Sequence, residues 1–371
     1  MKEYKITFCG CGDITSAWLL AIKRLNNRED KKYHLNVIAA CDPIPKKFRK
    51  LRTMGFRETK QFSDLSLAYK DEKSDITIIT APPQLHPRYV DEAIENDNHV
   101  IAEKPLAIDY NQYLHMREVA DIADKKNLHA VVNQQYRWDK RIASVKKAVE
   151  ENLVGDIDFV VTTYITNKYH FMEWWRKQHM DMCHFNRYIH HYDTIRYLLN
   201  KNPVTVRARF QRPRWSKIYG ESTAFVNVTF EGGIEWSFTA AQETVAAPPV
   251  SDHGSFIMYG SKGTIRHNKL SAPRAHFDED IVKTEGKRTS VNLEKYLSDE
   301  EFKDQIEFED GKYPPGWSNT IALLIKSIET GVKHPTCLRD NFWTISMPLC
   351  ARESHNNGGI PINVKEYMQF E

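Results

Sequence analysis

The stretch Lys5-Ile-Thr-Phe-Cys-Gly-Cys-Gly-Asp13, followed by the apolar run Ser16-Ala-Trp-Leu-Leu-Ala-Ile22, reads as a strand, a tight glycine turn and the start of a helix. Free N–H groups at such a helix start can hold a pyrophosphate, with Gly10, Gly12, Asp13 and Ile14 around it. The next strand, Leu35-Asn-Val-Ile-Ala-Ala-Cys41, ends at Asp42. An acid there can accept hydrogen bonds from an adenosine ribose and repel a 2′-phosphate, which favours NAD over NADP. Thr15 stands where a third glycine or alanine is usual, and Lys46 and Lys47 follow the acid closely, so NADP stays open.

Working outward, Asp75-Ile-Thr-Ile-Ile-Thr80 is a further strand that runs into Ala81-Pro82-Pro83, where the prolines hold back the next helix. That helix carries His86 near its start. Val100-Ile-Ala102 then ends at Glu103-Lys104-Pro105, and a helix from about Tyr110 to Lys126 leads to His129-Ala-Val-Val-Asn133. Such alternation of strand and helix patterns argues for an α/β unit with a parallel sheet covered on both faces. In this order Gly10, Asp42, Thr80, Glu103 and Asn133 fall on one edge of the sheet, where open α/β sheets bind ligands. Thr80, Pro82, His86, Glu103, Lys104 and Asn133 are therefore candidate cofactor contacts. An ammonium at Lys104 could hydrogen-bond a substrate hydroxyl and stabilise the oxygen as its proton leaves. The bland reading of Glu-Lys-Pro is a solvated turn.

Bulk properties narrow the classes. At 371 residues the chain is long enough for two domains, expected over residues 1–128 and 129–371. A net charge of +3 leaves no footprint for nucleic acid. The start turns directly into a strand and no apolar run could span a bilayer, so a cytosolic protein is expected. Cys9, Cys11, Cys41, Cys183, Cys337 and Cys350 show no paired CxxC spacing and read as free, mostly buried thiols.

In the second half, Phe159–Ile165, Val204–Phe210, Ala224–Phe230 and Gly233–Thr239 are rich in β-branched and aromatic residues, and Glu231-Gly232-Gly233 makes a hairpin turn. They predict an α+β domain with a mainly antiparallel sheet. Alternation in Val204-Thr-Val-Arg-Ala-Arg209 puts the arginines on the face away from the helices, wet or in a subunit contact. Residues 266–315 are polar and charge-rich and read as long excursions from the sheet.

Taken together, Gly10-Cys-Gly12-Asp, Thr80-Ala-Pro-Pro-Gln-Leu-His86, His99-Val-Ile-Ala-Glu-Lys-Pro-Leu106, Arg137 ahead of Gly155-Asp-Ile157, His190-His-Tyr-Asp193 and Tyr259-Gly-Ser-Lys-Gly-Thr264 resemble the Gfo/Idh/MocA family of NAD(P)-dependent oxidoreductases over nearly the whole chain. The resemblance implies a doubly wound Rossmann domain. It also implies a second domain whose large open, mainly antiparallel sheet carries substrate contacts and the interface of a homodimer or homotetramer. A cis bond before Pro105, turning Lys104 inward, is implied as well.

The other chemical cluster spans residues 180–199. Asn186, His190 and Asp193 recur at three- and four-residue steps, so they share one side of a helix. An imidazole with an ordinary pKa near 6.5 can take a proton at neutral pH, which suits His190 to a general base. His191 points about a hundred degrees away and reads as structural. In the family pattern this helix carries Asp-x-x-x-His, with the histidine at the substrate hydroxyl. His190 matches, but Asn186 holds the aspartate position and supplies no negative charge to an imidazolium. A metal site on His179, Cys183, His184 and His190 is the sharp alternative, although paired-ligand spacing is absent. Trp174-Trp175-Arg176 reads either as core aromatics with a surface cation or as a substrate or nicotinamide contact.

The expected chemistry is hydride transfer between NAD and a secondary alcohol or ketone of a sugar, cyclitol or polyol, with no metal. Lys104 and His190 would be catalytic, while Asn186, Arg137 and Arg176 orient hydroxyls. Two other classes stay open: a catalytically weak dinucleotide or sugar sensor, and a glycosidase that oxidises its sugar transiently.

Overall fold

A computed structural model of the chain describes residues 1–167, 183–244, 254–267, 269–273, 288–293 and 316–371. The chain divides into two compact units, one of residues 1–135 with 316–342 and one beginning at Tyr136 and completed by Trp343–Glu371.

In the first unit, β1 (Lys2–Cys9), β2 (Tyr33–Cys41), β3 (Lys60–Phe62), β4 (Ile76–Ile79), β5 (His99–Ala102) and β6 (Ala130–Val132) form a six-stranded sheet in the order β3-β2-β1-β4-β5-β6. All five pairings are parallel. The chain steps outward one way through β2 and β3 and the other way through β4 to β6, so the order reverses between β1 and β4. That reversal creates a crevice at the C-terminal strand ends. Helices α1 (Thr15–Asn26), α2 (Arg49–Thr53), α3 (Leu65–Asp71), α4 (His86–Glu95) and α5 (Tyr110–Lys125) come between the strands. Every residue of β4 is buried, as a strand covered on both faces requires.

The expected boundary after residue 128 falls one strand early, because Ala130–Val132 pairs with β5 inside the first sheet. A second difference lies far along the sequence. The helix Gly316–Thr330 returns to this unit, and its Trp317, Ile321, Leu324 and Ile325 join the core of β1, α1 and β2 side chains. Apolar spacing at 317, 321, 324 and 325 is an ordinary amphipathic stripe, and nothing local in it says which sheet it covers.

In the second unit, α6 (Lys140–Glu150) and α7 (Ile189–Leu199) accompany a nine-stranded sheet. Its strands are β7 (Ile157–Ile165), β8 (Pro203–Gln211), β9 (Thr223–Phe230), β10 (Glu235–Ala241), β11 (Ser255–Gly260), β12 (Thr264–Arg266), β13 (Lys269–Pro273), β14 (Arg288–Asn292) and β15 (Ile362–Asn363). Only β7 and β10 pair in parallel. The polar stretch after residue 266, expected to leave the sheet, instead contributes β13 and β14 to it. These strands are short and carry few large apolar residues, so their periodicity is weak.

Alternation along β8 is as expected: Val206, Ala208 and Phe210 are buried while Arg207 and Arg209 are exposed. The buried face holds Trp236 and Phe238 against Tyr192 of α7, at ring distances of 5.5 and 5.9 Å. Each such aromatic adds about 1.5–3 kcal/mol by leaving water, so this cluster fixes α7 on the sheet. Among the described residues no helix is long and apolar enough to cross a membrane.

Buried and half-buried histidines make the first unit sensitive to pH, and burial lowers the pKa of His86 and His129 as well as that of His99. His99 Nδ1 accepts the His129 backbone N–H at 3.0 Å, and the two rings stack at 5.5 Å. Burial, then the neighbouring His129, lowers the His99 pKa to about 4. The unfolded chain therefore takes this proton more readily than the folded one below about pH 6.5. The stabilisation is complete above that pH and is lost as pH falls towards 4. Thermal unfolding midpoints measured across this range should drop with acidity, and His99→Asn, which keeps an acceptor but does not titrate, should flatten the slope.

Candidate active site

The first element of the site is the crevice edge. Gly10, Asp42, Thr80, Glu103 and Asn133 each come one residue after the end of β1, β2, β4, β5 and β6, so parallel pairing brings all five to one edge. Gly10 has φ +95°, and a Cβ on it would lie 2.7 Å from Ala81 N, so no other residue fits. Gly12 differs. A Cβ there would meet nothing closer than Thr80 O at 4.0 Å, so the protein itself leaves the space beside it open. The N-terminus of α1 follows with Ile14 as its cap and no side chain bonded to its N–H groups, whereas Asp64 and Asp109 cap α3 and α5. The N–H groups of Thr15 and Ser16 reach only the carbonyls of Gly12 and Asp13, at 3.3 Å, and with open space at Gly12 this helix start without a side-chain cap fits a bound pyrophosphate.

Thr15 explains its own departure from the glycine pattern. It is fully buried, and its hydroxyl lies 3.0 Å from the Thr80 hydroxyl and 3.3 Å from Gly10 O. The Thr80 hydroxyl donates to Gly10 O at 2.6 Å. Two threonines thus pin the turn after β1 to the end of β4.

Asp42 is 4 % exposed and already serves the same turn. Its Oδ2 accepts Cys11 N–H at 2.9 Å, its Oδ1 accepts Ile44 N–H at 2.9 Å, and Lys47 Nζ stands 3.6 Å away. Each oxygen keeps a further lone pair for a ribose hydroxyl. Lys46 is exposed. Lys50 was not singled out in the sequence, yet its ammonium donates to Gly12 O at 2.5 Å and to Asp13 Oδ1 at 2.9 Å, which puts a cation on the glycine turn. Burial, reinforced by Asp42, pushes the Cys11 thiol up to about 12, so it stays protonated and inert at neutral pH.

Two expected cofactor contacts turn inward instead. His86 is fully buried, with Nδ1 at 2.7 Å from Pro105 O and Nε2 at 2.8 Å from Ala81 O, so it joins two loops rather than meeting a ligand. Asn133, also fully buried, gives its amide to Glu103 Oε1 at 2.9 Å and receives the Thr320 hydroxyl at 2.9 Å. Glu103 accepts the indole N–H of Trp18 and of Trp317 on the same oxygen. Lys104 is half-buried and its bond to Pro105 is cis. Pro82 is exposed at the turn after β4.

The second unit carries the other candidates. Asn186 lies in a π-helical turn, His184–Tyr188, that runs directly into α7, and His190 lies in the first turn of α7. Single π turns inside helices occur often at functional sites. His190 is buried and stacks on Tyr136 at 4.2 Å, which fixes its ring plane. His191 packs against Tyr164 at 4.6 Å and Phe238 at 5.2 Å, the structural position expected of it.

Arg137 is a correction to its expected role. Its Nε and Nη2 donate to the two carboxylate oxygens of Asp193 at 2.8 and 2.6 Å, and both side chains are almost fully buried. Thr344 adds a third bond to Asp193 at 2.8 Å. A guanidinium so committed builds the unit rather than orienting a hydroxyl. Trp174, Trp175, Arg176 and His179 lie outside the described residues. Of the proposed metal ligands, His184 packs face-near Phe210 at 3.6 Å, and among the described residues no cluster of His, Cys, Asp and Glu could hold an ion.

Residues 4–134 match the model described as the oxidoreductase family with an NAD-binding Rossmann fold, and residues 142–266 match the Gfo/Idh/MocA C-terminal domain. The chain belongs to the Gfo/Idh/MocA oxidoreductase family. It is an NAD-binding oxidoreductase. Among proteins it resembles, the uncharacterized protein y4oX of Sinorhizobium fredii is 23% identical over 330 residues, covering 85% of this chain and 84% of y4oX. An Agrobacterium radiobacter oxidoreductase in complex with NAD+, L-tartaric acid and magnesium is 19% identical, with a TM-score of 0.81 over 99% of this chain and 100% of its own. The WlbA dehydrogenase from Bordetella pertussis in complex with NADH and UDP-GlcNAcA is 19% identical, with a TM-score of 0.77 over 98% of each chain.

Because Lys50 holds the glycine turn, Lys50→Ala should weaken NAD and NADP alike, by about tenfold for one charge-assisted contact, if that turn holds the pyrophosphate. Asp42→Ala should weaken NAD more than NADP, since it removes ribose acceptors while loosening a turn both cofactors use. Calorimetric titration of both dinucleotides against each variant checks the two patterns.

Proposed function

We propose that the protein moves a hydride between NAD and a secondary alcohol or ketone of a sugar, cyclitol or related polyol. The observation that carries the reading is Lys104, set two residues beyond the end of β5, on the strand-end edge that also presents the open glycine turn. Bound nicotinamide would supply the hydride chemistry, and the chain supplies geometry and proton handling. In this reading the Lys104 ammonium hydrogen-bonds the reacting oxygen and stabilises developing negative charge. His190 takes or returns the proton, its ring held by Tyr136. Asn186 offers an amide to a neighbouring hydroxyl. With Arg137 bonded to Asp193, Arg176 is the arginine left to this role.

A sugar-like substrate draws support from WlbA, whose structure holds UDP-GlcNAcA, and from the tartaric acid held by the Agrobacterium protein. Assembly through the second sheet draws support from its outer face, where Phe159 and Phe225 are exposed and Phe159 stacks on Tyr259 at 4.3 Å. We read the oligomer as a homodimer or homotetramer. Asn186 in place of a carboxylate is the one observation that favours the sensor reading.

A panel of sugars and polyols with NAD, followed at the NADH absorbance, separates the classes. A dehydrogenase yields NADH in step with substrate, a glycosidase with transient oxidation yields none, and a sensor turns nothing over. Lys104→Ala should lower the turnover rate by about two orders of magnitude or more with NAD binding nearly intact. Near-normal turnover in that variant removes Lys104 from the chemistry.

A further expectation concerns Asn186. An anion beside His190 favours the protonated ring, so Asn186→Asp should move the acid limb of the pH–rate profile to higher pH. His190→Ala should abolish that limb, and an unchanged profile would assign the base elsewhere.

A further inference from the structure

Three N–H donors converge on one oxygen of Glu103. Trp18 Nε1 of α1 lies 3.0 Å from Oε1, Trp317 Nε1 lies 3.1 Å from it and Asn133 Nδ2 lies 2.9 Å from it. All the donors are buried, at 0, 6 and 0 % exposure. An indole can only donate, so the two tryptophans dictate where this oxygen must be. Asn133 is oriented in turn, because the Thr320 hydroxyl lies 2.9 Å from its Oδ1 and leaves the amide to face Glu103. Thr320 and Trp317 come from the same helix, Gly316–Thr330.

On its other side Lys104 is followed by a second fixed point. Pro105 O lies 2.7 Å from His86 Nδ1 and Ala81 O lies 2.8 Å from its Nε2, so the buried ring, kept neutral by burial, donates to one carbonyl and packs against the other. Glu103 N–H is itself tied to Ile79 O at 2.9 Å. Lys104 is therefore the residue between two anchors. These anchors place its Cα, from which the ammonium reaches.

We infer that Trp317 is a positioning residue for Lys104, acting through the Glu103 carboxylate. The inference rests on the reading of Lys104 as the group that meets the reacting oxygen. Its physical content is that one indole N–H, 214 residues from Glu103 in sequence, holds the backbone from which that ammonium reaches. A misplacement of about 1 Å at a reacting group can cost about 10²-fold in rate.

The test is a double-mutant cycle with Trp317→Phe, which keeps a buried ring and removes the N–H, and Lys104→Met. In the wild-type background Trp317→Phe should lower kcat about tenfold and leave NAD affinity within about twofold, the scale of one hydrogen bond to a charged group. In the Lys104→Met background the same change should alter the residual rate by less than about twofold, because the two residues act as a unit. A full tenfold loss in both backgrounds would mean a general structural effect, and an unaltered kcat in Trp317→Phe would mean no role at all; either outcome overturns the inference alone. Normal turnover in Lys104→Met overturns the underlying reading and the inference with it.

Two further measurements keep the inference open to refutation, the first if Trp317→Phe unfolds and the second even if no substrate emerges from the panel. Glu103→Gln keeps an oxygen acceptor for all three donors and should retain at least about tenfold more activity than Glu103→Ala; equal losses overturn the inference. Modification of the NAD-free protein with trinitrobenzenesulfonate, mapped by peptide mass spectrometry, should change at Lys104 by about threefold or more in Glu103→Ala and not at Lys262. No change at Lys104 overturns it.

Discussion

The close approach of two backbones at the crevice is the constraint on which the rest of the first unit depends. The turn after β1 lies so near the end of β4 that residue 10 has no room for a Cβ. Two threonine hydroxyls, at 15 and 80, satisfy the carbonyl that this approach buries, and Asp42 satisfies the amide of residue 11. The turn is therefore set from three strand ends at once. Its far side, at Gly12, is left clear. A rigid turn with one open flank is what a dinucleotide-binding edge needs, because the ligand meets donors that are already in place.

A different kind of constraint organises the second unit. Its sheet seats α7 through aromatic packing, and the buried Arg137–Asp193 pair sits in the same region with Thr344 as a third partner. Removing one member of such a pair leaves an uncompensated buried charge, which typically costs about 3–5 kcal/mol. The helix carrying His190 is thus held on one side by rings and on another by a neutralised ion pair. The π turn at 184–188, which carries Asn186, lies directly before it.

The strand ends were legible in the sequence because each is announced locally: a run of β-branched or small apolar residues stops, and a glycine, an acid, a proline turn or, after β6, a run of amides follows. Five positions could be placed on one edge from that alone. What could not be read was the partner of each polar side chain. His86, Arg137 and Asn133 have the residue types of ligand-binding groups, and each spends its hydrogen bonds on a loop, a carboxylate or a helix distant in sequence. Lys50 shows the converse, since nothing in Arg49-Lys-Leu51 distinguishes a solvated lysine from one lying on a glycine turn. The helix Gly316–Thr330 was the largest gap, because an amphipathic stripe shows which face it hides but not against what. The π turn had no signal at all.

That helix has a consequence for how the protein is made. The first unit contains residues 1–135, but its core includes Trp317, Ile321, Leu324 and Ile325. A chain emerging from the ribosome, amino end first, therefore completes its second sheet's central strands before it can finish the unit it began with. Until residue 330 is free of the exit tunnel, the apolar side chains of β1 and α1 await their cover and the Glu103 oxygen lacks one of its donors. The order of synthesis thus closes the core of the first unit late, after most of the chain exists.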